Sequence, residues 1–145
     1  MYTIDASVWV NSFDHQEPGH ETSRQFLAYL GQEAVRIAAP TLVLAEVAGA
    51  ISRTRKDSGQ ARAFALALRN LPNLMLINLD SDLAGQSLRL AAEHGLRGAD
   101  AVYAAVAIAT DFTLISLDRE HLTRLTNVIT VKTPAEVLTD LTPRS

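Results

Sequence analysis

Residues 2–10 read YTIDASVWV, and two backbone habits meet inside that stretch. Tyr2 to Asp5 has the β-branched pair Thr3 and Ile4 of a short strand. From Ala6 to Phe13 the pattern turns helical, with Val8, Trp9 and Ser12 at helical spacing. Asp5 therefore stands where a strand ends and a helix begins. Downstream, a loop over Asp14–Gly19 leads to an amphipathic helix from Glu21 to Gly31, with Gly31 as its expected C-cap. The same alternation then repeats. Val35–Ala39 is a strand stopped by Pro40, and Thr41 is the expected N-cap of a helix to about Lys56. A second helix, from Ser58 to about Leu71, precedes Pro72. Leu74–Leu79 is an apolar strand suited to a sheet covered on both faces. Asp80 or Ser81 caps the next helix, which stops at Gly95. Gly98–Ala109 is helical and so apolar that burial is expected. Thr113–Leu117 and Val128–Val131 complete the strands, separated by a short helical turn over Arg119–Leu125. Pro134 opens a last helix to Leu141, after which the final few residues are expected to fray. Strands alternating with helices predict an α/β fold: a three-layer α/β/α arrangement around a short parallel sheet of four to five strands, with helices on both faces.

A chain of 145 residues predicts one domain over 1–145. The absence of cysteine excludes disulfides, thiolate metal sites and a cysteine nucleophile, and it suits a reducing cytoplasm. The longest charge-free apolar run, Ala101–Thr110, falls short of the ~20 residues of a membrane helix, and Asp5 interrupts the N-terminus before a signal sequence could form. A soluble cytoplasmic protein is the expectation. The net charge of −3 hides a basic segment: Arg53, Arg55, Lys56, Arg62 and Arg69 are opposed only by Asp57. Such a flank fits a polyanionic substrate, with Arg53, Arg55 and Lys56 as candidate contacts; it equally fits a solvated helix pair.

Four carboxylates occupy apolar settings where a chain building only a core would place Leu, Val or Ala: Asp5, Glu46 in TLVLAEVAGAI, Asp100 in RGADAVYAAVAIA, and Asp118 in TLISLDREHL. An unpaired ionised carboxylate in such surroundings costs on the order of several kcal/mol. Singly, Asp5 and Asp118 also suit helix N-caps, and Asp100 suits the first turn of its helix. Glu46 lies too deep in its helix to cap it and has no basic residue three or four positions before it. In open parallel sheets, ligands bind outside the carboxyl ends of the strands. Asp5 and Asp118 follow strand ends, and right-handed crossovers bring Asp100 and Glu46 to the same edge. The four are expected to converge on a hard divalent cation. Their oxygen-only chemistry suits Mg²⁺ or Mn²⁺, and the activated water and charge neutralisation such ions supply suit phosphodiester hydrolysis.

Zinc is disfavoured, because His15, His20, His94 and His121 show no metal-ligand spacing. His121 stands apart from the others, three residues beyond Asp118. No phosphate-binding glycine loop or nucleophile elbow is present. A receiver-like phosphoacceptor domain is the alternative from another class, with Asp80 after LMLINL as acceptor and Lys132 as its late lysine.

At these residues the chain resembles the PIN-domain family, and within it the VapC-type toxins of toxin–antitoxin pairs. The matching features are Asp5 with Ser7 behind a first strand, Glu46 in LVLAEV, Asp100 in RGADAVYAA, and Asp118 in LISLD. The resemblance spans essentially the whole chain. It implies an Mg²⁺- or Mn²⁺-dependent endoribonuclease whose metal ligands and catalytic acids are Asp5, Glu46, Asp100 and Asp118. Ser7 and Ser116 become supporting hydroxyls, and Glu120 an auxiliary acid or an exposed helix residue. Where the family commonly carries Ser or Thr after the first acid, this chain has Ala6. The resemblance further implies a homodimer and a cognate VapB-like antitoxin, whose arginine could displace the metal by pairing with the carboxylates. A catalytically silent PIN-like module that binds RNA or a protein is the second reading.

Overall fold

The structure, a computed structural model, describes residues 1–142; the expected fraying of the chain end falls largely outside them. In chain order the elements are β1 (Tyr2–Ile4), α1 (Ala6–Phe13), α2 (His20–Gln32), β2 (Ile37–Pro40), α3 (Leu42–Arg55), α4 (Ser58–Arg69), β3 (Leu74–Ile77), α5 (Ser81–His94), α6 (Gly98–Thr110), β4 (Thr113–Ile115), α7 (Arg119–Arg124), β5 (Val131–Lys132) and α8 (Pro134–Leu141).

The five strands form one sheet in the order β3-β2-β1-β4-β5, and every pairing is parallel. Tyr2 of the central strand faces Ile37 on one side and Thr113 on the other. From β1 the chain first winds outward to β2 and β3, then returns to lay β4 and β5 on the opposite flank. The strand order thus reverses between β1 and β4, where open α/β sheets place their ligand crevice. Asp5 leaves β1 at that point, and its amide donates to the Ile115 carbonyl of β4 at 2.9 Å.

The nearly all-apolar α6 is buried as its composition predicts: Ala101 to Ala107 are all buried, with α6 lying against β1, β2 and β4. α5 packs on α6, while α1 packs against α2 and α3. Ile4, Val8, Phe26, Leu30, Val47, Tyr103, Leu114 and Ile115 are at most 0% exposed and form the centre of the core.

Several local expectations are corrected. β3 is not covered as its apolar run predicts: Met75 is 48% exposed, because this strand ends the sheet with no strand beyond it. β5 is displaced to Val131–Lys132, since Val128 and Ile129 turn back to donate to the Leu125 carbonyl. Gly31 lies inside α2 rather than capping it, and Ala34 takes the left-handed conformation at φ 49°. Thr41 makes no side-chain cap, whereas Asp57 and Asp80 cap α4 and α5.

Candidate functional site

The sheet's reversal brings the ends of β1 and β4 together, and a net of hydrogen bonds ties them. Asp5 is 6% exposed. Its Oδ2 accepts from the Ser7 amide at 3.2 Å and from Ser116 Oγ at 3.2 Å. Asp5 therefore does N-cap α1, as a strand-end acid should, while its other oxygen lies outside those bonds. Ser116 is fully buried, and its Oγ also accepts from the Asp118 amide at 3.0 Å. Ser7 Oγ accepts from the Leu117 amide at 3.1 Å. Both hydroxyls thus bind the β1–α1 turn to the segment after β4.

His121 occupies the middle of the cluster and is 0% exposed. Its Nδ1 lies 3.0 Å from Ser116 Oγ, and its Nε2 lies 3.2 Å from Asp100 Oδ1, off the line of a well-formed hydrogen bond. Ser116 spends its one proton on Asp5 and one lone pair on the Asp118 amide, which leaves a lone pair for an Nδ1–H donor. A proton on Nε2 as well turns the approach to Asp100 into an attraction. Burial pushes the His121 pKa down, but its contact with Asp100 and the charges of Asp5, Asp100 and Asp118 outweigh this and hold it above the usual histidine value.

Glu46 reaches the cluster from α3. Its Oε1 accepts from the Tyr103 hydroxyl of α6 at 2.7 Å. Burial raises the Glu46 pKa; repulsion from Asp5 and Asp100 adds to this, while the Tyr103 bond and His121 oppose it. For Tyr103 itself, burial and the neighbouring Glu46 charge push the phenol far up, so it stays a donor. Asp118 caps α7, accepting from the Glu120 amide at 2.8 Å, and its charge still reaches His121. The four acids expected from the sequence are therefore neighbours at one edge of the sheet. Sequence reasoning missed His121 as the group between them, and missed Tyr103 altogether. The available signal was the position of His121 on the inward face of α7, four residues before the buried Leu125.

The basic candidates separate. Arg53 lines a cleft of about 830 Å³ that Glu46 and Ser7 also line. Arg55 instead pairs with Asp14 at 2.7 Å and lies over the Phe13 ring, so it clasps the end of α1 to α3. Lys56 is exposed at the left-handed C-cap of α3. Glu120, half-buried, lies 3.9 Å from Arg124. The receiver-like pair does not assemble: Asp80 caps α5 beside β3, while Lys132 sits on β5 at the opposite edge, bound to Asp140 at 2.7 Å.

The donor set suits a hard cation. Asp100 Oδ2 is buried and has no hydrogen-bond partner, an arrangement that a carboxylate tolerates when a cation is to face it. Among the described residues no three His, Cys, Asp or Glu side chains are grouped so that together they could hold a metal ion. An ion such as Mg²⁺ does not require three, since it keeps several waters and takes one or two carboxylates.

Across residues 2–127 the sequence matches the family model of the PIN domain. The chain belongs to the PIN-domain family. No curated protein matches it in sequence. Among solved structures, this PIN domain is similar to VapC20 of Mycobacterium tuberculosis, described as a sarcin–ricin-loop-cleaving toxin. The TM-score is 0.73 at 17% identity, over 90% of this chain and 97% of that one. It is similar to FitAcB from Neisseria gonorrhoeae with a TM-score of 0.69 at 19% identity, covering 93% and 99% of the two chains. A third similar structure is VapBC2 from Rickettsia felis bound to a DNA fragment from its promoter, at TM-score 0.68 and 19% identity over 91% and 97%. At these identities the likeness is one of fold. Among the described residues no helix is long and apolar enough to cross a membrane.

Proposed function

We propose that this PIN domain is a divalent-metal-dependent endoribonuclease and the toxin of a VapBC-type pair. The observation that carries the reading is the meeting of Asp5, Glu46, Asp100 and Asp118 at the reversal between β1 and β4, with an unpartnered Asp100 oxygen among them. The fold shared with VapC20, named for cleaving the sarcin–ricin loop, and with toxin–antitoxin assemblies supports it.

Asp5, Asp100 and Glu46 are the residues that would hold Mg²⁺ or Mn²⁺, with Asp118 nearby. Bound there, the ion supplies an activated water and neutralises charge on the phosphoryl oxygens. The chain's own groups prepare that site. Ser116 and the Ser7 amide hold Asp5 in one rotamer, and Tyr103 aims Glu46. His121, buried and with its pKa raised by Asp100 and the other acids, offsets their repulsion whenever it carries a proton.

The antitoxin partner follows from the same charges: an arginine inserted among these acids would compete with metal. A homodimer is part of the same reading; Leu42, Leu79 and Leu88, which line an apolar groove of about 410 Å³, are the surface proposed for it.

The test is RNA cleavage by the purified protein with Mg²⁺ or Mn²⁺, with EDTA, and by Asp5→Asn and Asp100→Asn. Cleavage that requires metal and disappears in both variants is the expected result. Equal cleavage by wild type and variants would remove the assignment.

A further inference from the structure

The cleft beside Glu46 holds two arginines whose guanidinium groups have no ion-pair or hydrogen-bond partner among the described residues. Its walls include Ser7, Glu46 and Leu117 at the acid cluster, and Arg53, Arg119 and Glu17 further out. Arg53 comes from α3 and Arg119 from α7, so two separate elements each bring a cation to one concavity. Both are exposed. Among the described residues the arginine ion pairs belong to Arg24, Arg55 and Arg124; Arg53 and Arg119 are not spent in this way.

Arg119 sits where helix stability alone would not place it, whereas Arg53, in the last turn of α3, is seated over a glycine. Arg119 is the first residue of α7, where a cation opposes the helix dipole. Arg53 lies back along α3: its Nη1 is 3.1 Å from the point a Cβ on Gly49 would occupy. Glycine inside a helix is unfavourable for the helix, but here it opens a seat for the guanidinium. Glu46, Gly49, Ala50 and Arg53 share one helical face, so the seated guanidinium lies on the Glu46 side of the cleft. Glu17 stands in the cleft wall as well, held by Asn11 Nδ2 at 3.0 Å. Its negative charge makes the α1–α2 side of the cleft the less favourable one for an anion.

We propose that Arg53 and Arg119 form a phosphate-binding subsite that grips the RNA strand next to the bond to be cut. This deepens the ribonuclease reading and rests on it. Guanidinium forks match phosphate oxygens in geometry and charge, and a cleft of about 830 Å³ falls within the ~300–1,000 Å³ range of pockets that enclose small ligands, enough for a nucleotide or two.

The experiment measures binding of a fluorescent single-stranded oligoribonucleotide to the full chain in EDTA, across a salt series. Each phosphate contact on a single strand contributes about 0.7 to the slope of log affinity against log salt. Arg53→Ala and Arg119→Ala are each expected to lower the slope by about 0.7, and the double variant by about 1.4. Arg119→Lys should restore the slope, since it keeps the charge. Arg89→Ala, an exposed change on α5 that does not line the cleft, should leave it unaltered, and thermal unfolding by circular dichroism should be the same for all. If wild type binds and cleaves RNA but the two cleft variants match Arg89→Ala, the subsite is overturned and the ribonuclease reading stands. If wild type neither binds the oligonucleotide nor cleaves RNA, both are overturned.

Discussion

His121 Nε2 stands 3.2 Å from Asp100 Oδ1, and the imidazole has no exposure to solvent at all. These acids raise the pKa of His121, so it takes up a proton more readily than a free imidazole and, when it does, acts as an internal counter-ion to Asp5, Asp100 and Asp118. Removing one partner from a buried ion pair costs roughly 3–5 kcal/mol. Asp100 keeps 14% of its side-chain exposure, so His121→Ala should lose somewhat less, about 2–4 kcal/mol, in metal-free protein. Urea unfolding in EDTA measures this. Added Mg²⁺ should then raise the melting temperature of the variant more than that of the wild type, because it relieves a repulsion that His121 no longer offsets. Equal gains in melting temperature for variant and wild type on adding Mg²⁺ would show that His121 only fills space.

Tyr103 tests the other side of the cluster. It is fully buried, and its hydroxyl donates to Glu46 at 2.7 Å. Tyr103→Phe keeps the ring and deletes the donor, so stability should fall by only about 1 kcal/mol. Metal binding should suffer more. Outer partners that orient a metal-binding side chain are worth about 10–100-fold in affinity, and with the hydroxyl Glu46 loses the one side-chain hydrogen bond it makes among the described residues. Titration calorimetry with Mn²⁺ is the measurement; unchanged affinity would take Glu46 out of the ligand set.

The strand-end acids were legible because two simple regularities agree on them. A carboxylate inside an apolar run is costly anywhere, and the carboxyl edge of a parallel sheet is where such cost is recovered. The sequence alone therefore places Asp5 and Asp100 together. The cap of α1 by Asp5 and of α7 by Asp118 was legible too, and it coexists with the cluster instead of excluding it. His121 was not, because its role depends on which face of a six-residue helix turns inward, and α7 is too short to show a periodicity. Arg55 and Arg53 look equivalent in sequence. Only the fold shows that Asp14, at the end of α1, takes the first and leaves the second to the cleft. The apolar run of β3 misled for a related reason: hydrophobicity reports burial on average, and it does not reveal which strand ends the sheet.

Gly49 offers a change in which stability and binding should move in opposite directions. Alanine at this position gains helix propensity, up to about 1 kcal/mol. Its Cβ meets only the flexible end of Arg53 at 3.1 Å, so the side chain can yield without disturbing the backbone. Gly49→Ala should thus unfold at a higher urea concentration while binding single-stranded RNA more weakly. Parallel denaturation and fluorescence anisotropy decide it. Tighter or unchanged RNA binding would mean that the seat on Gly49 does not matter to Arg53.

The apolar groove between α5 and the start of α6 bears on assembly. Leu88 is 68% exposed and Leu79 47%, and both line this groove with Leu42, Ala91 and Val102. Large side chains this exposed contribute little to the fold, so replacing Leu88 by Glu should change the stability of a single chain by no more than about 0.5 kcal/mol. A charge buried between two apolar faces costs far more. If this groove is where two copies meet, Leu88→Glu should convert a dimer to a monomer while leaving the circular dichroism spectrum unaltered. Sedimentation velocity over a concentration series reads the outcome directly. A wild-type protein that stays monomeric at high concentration, or a variant that stays dimeric, would remove this face from the interface.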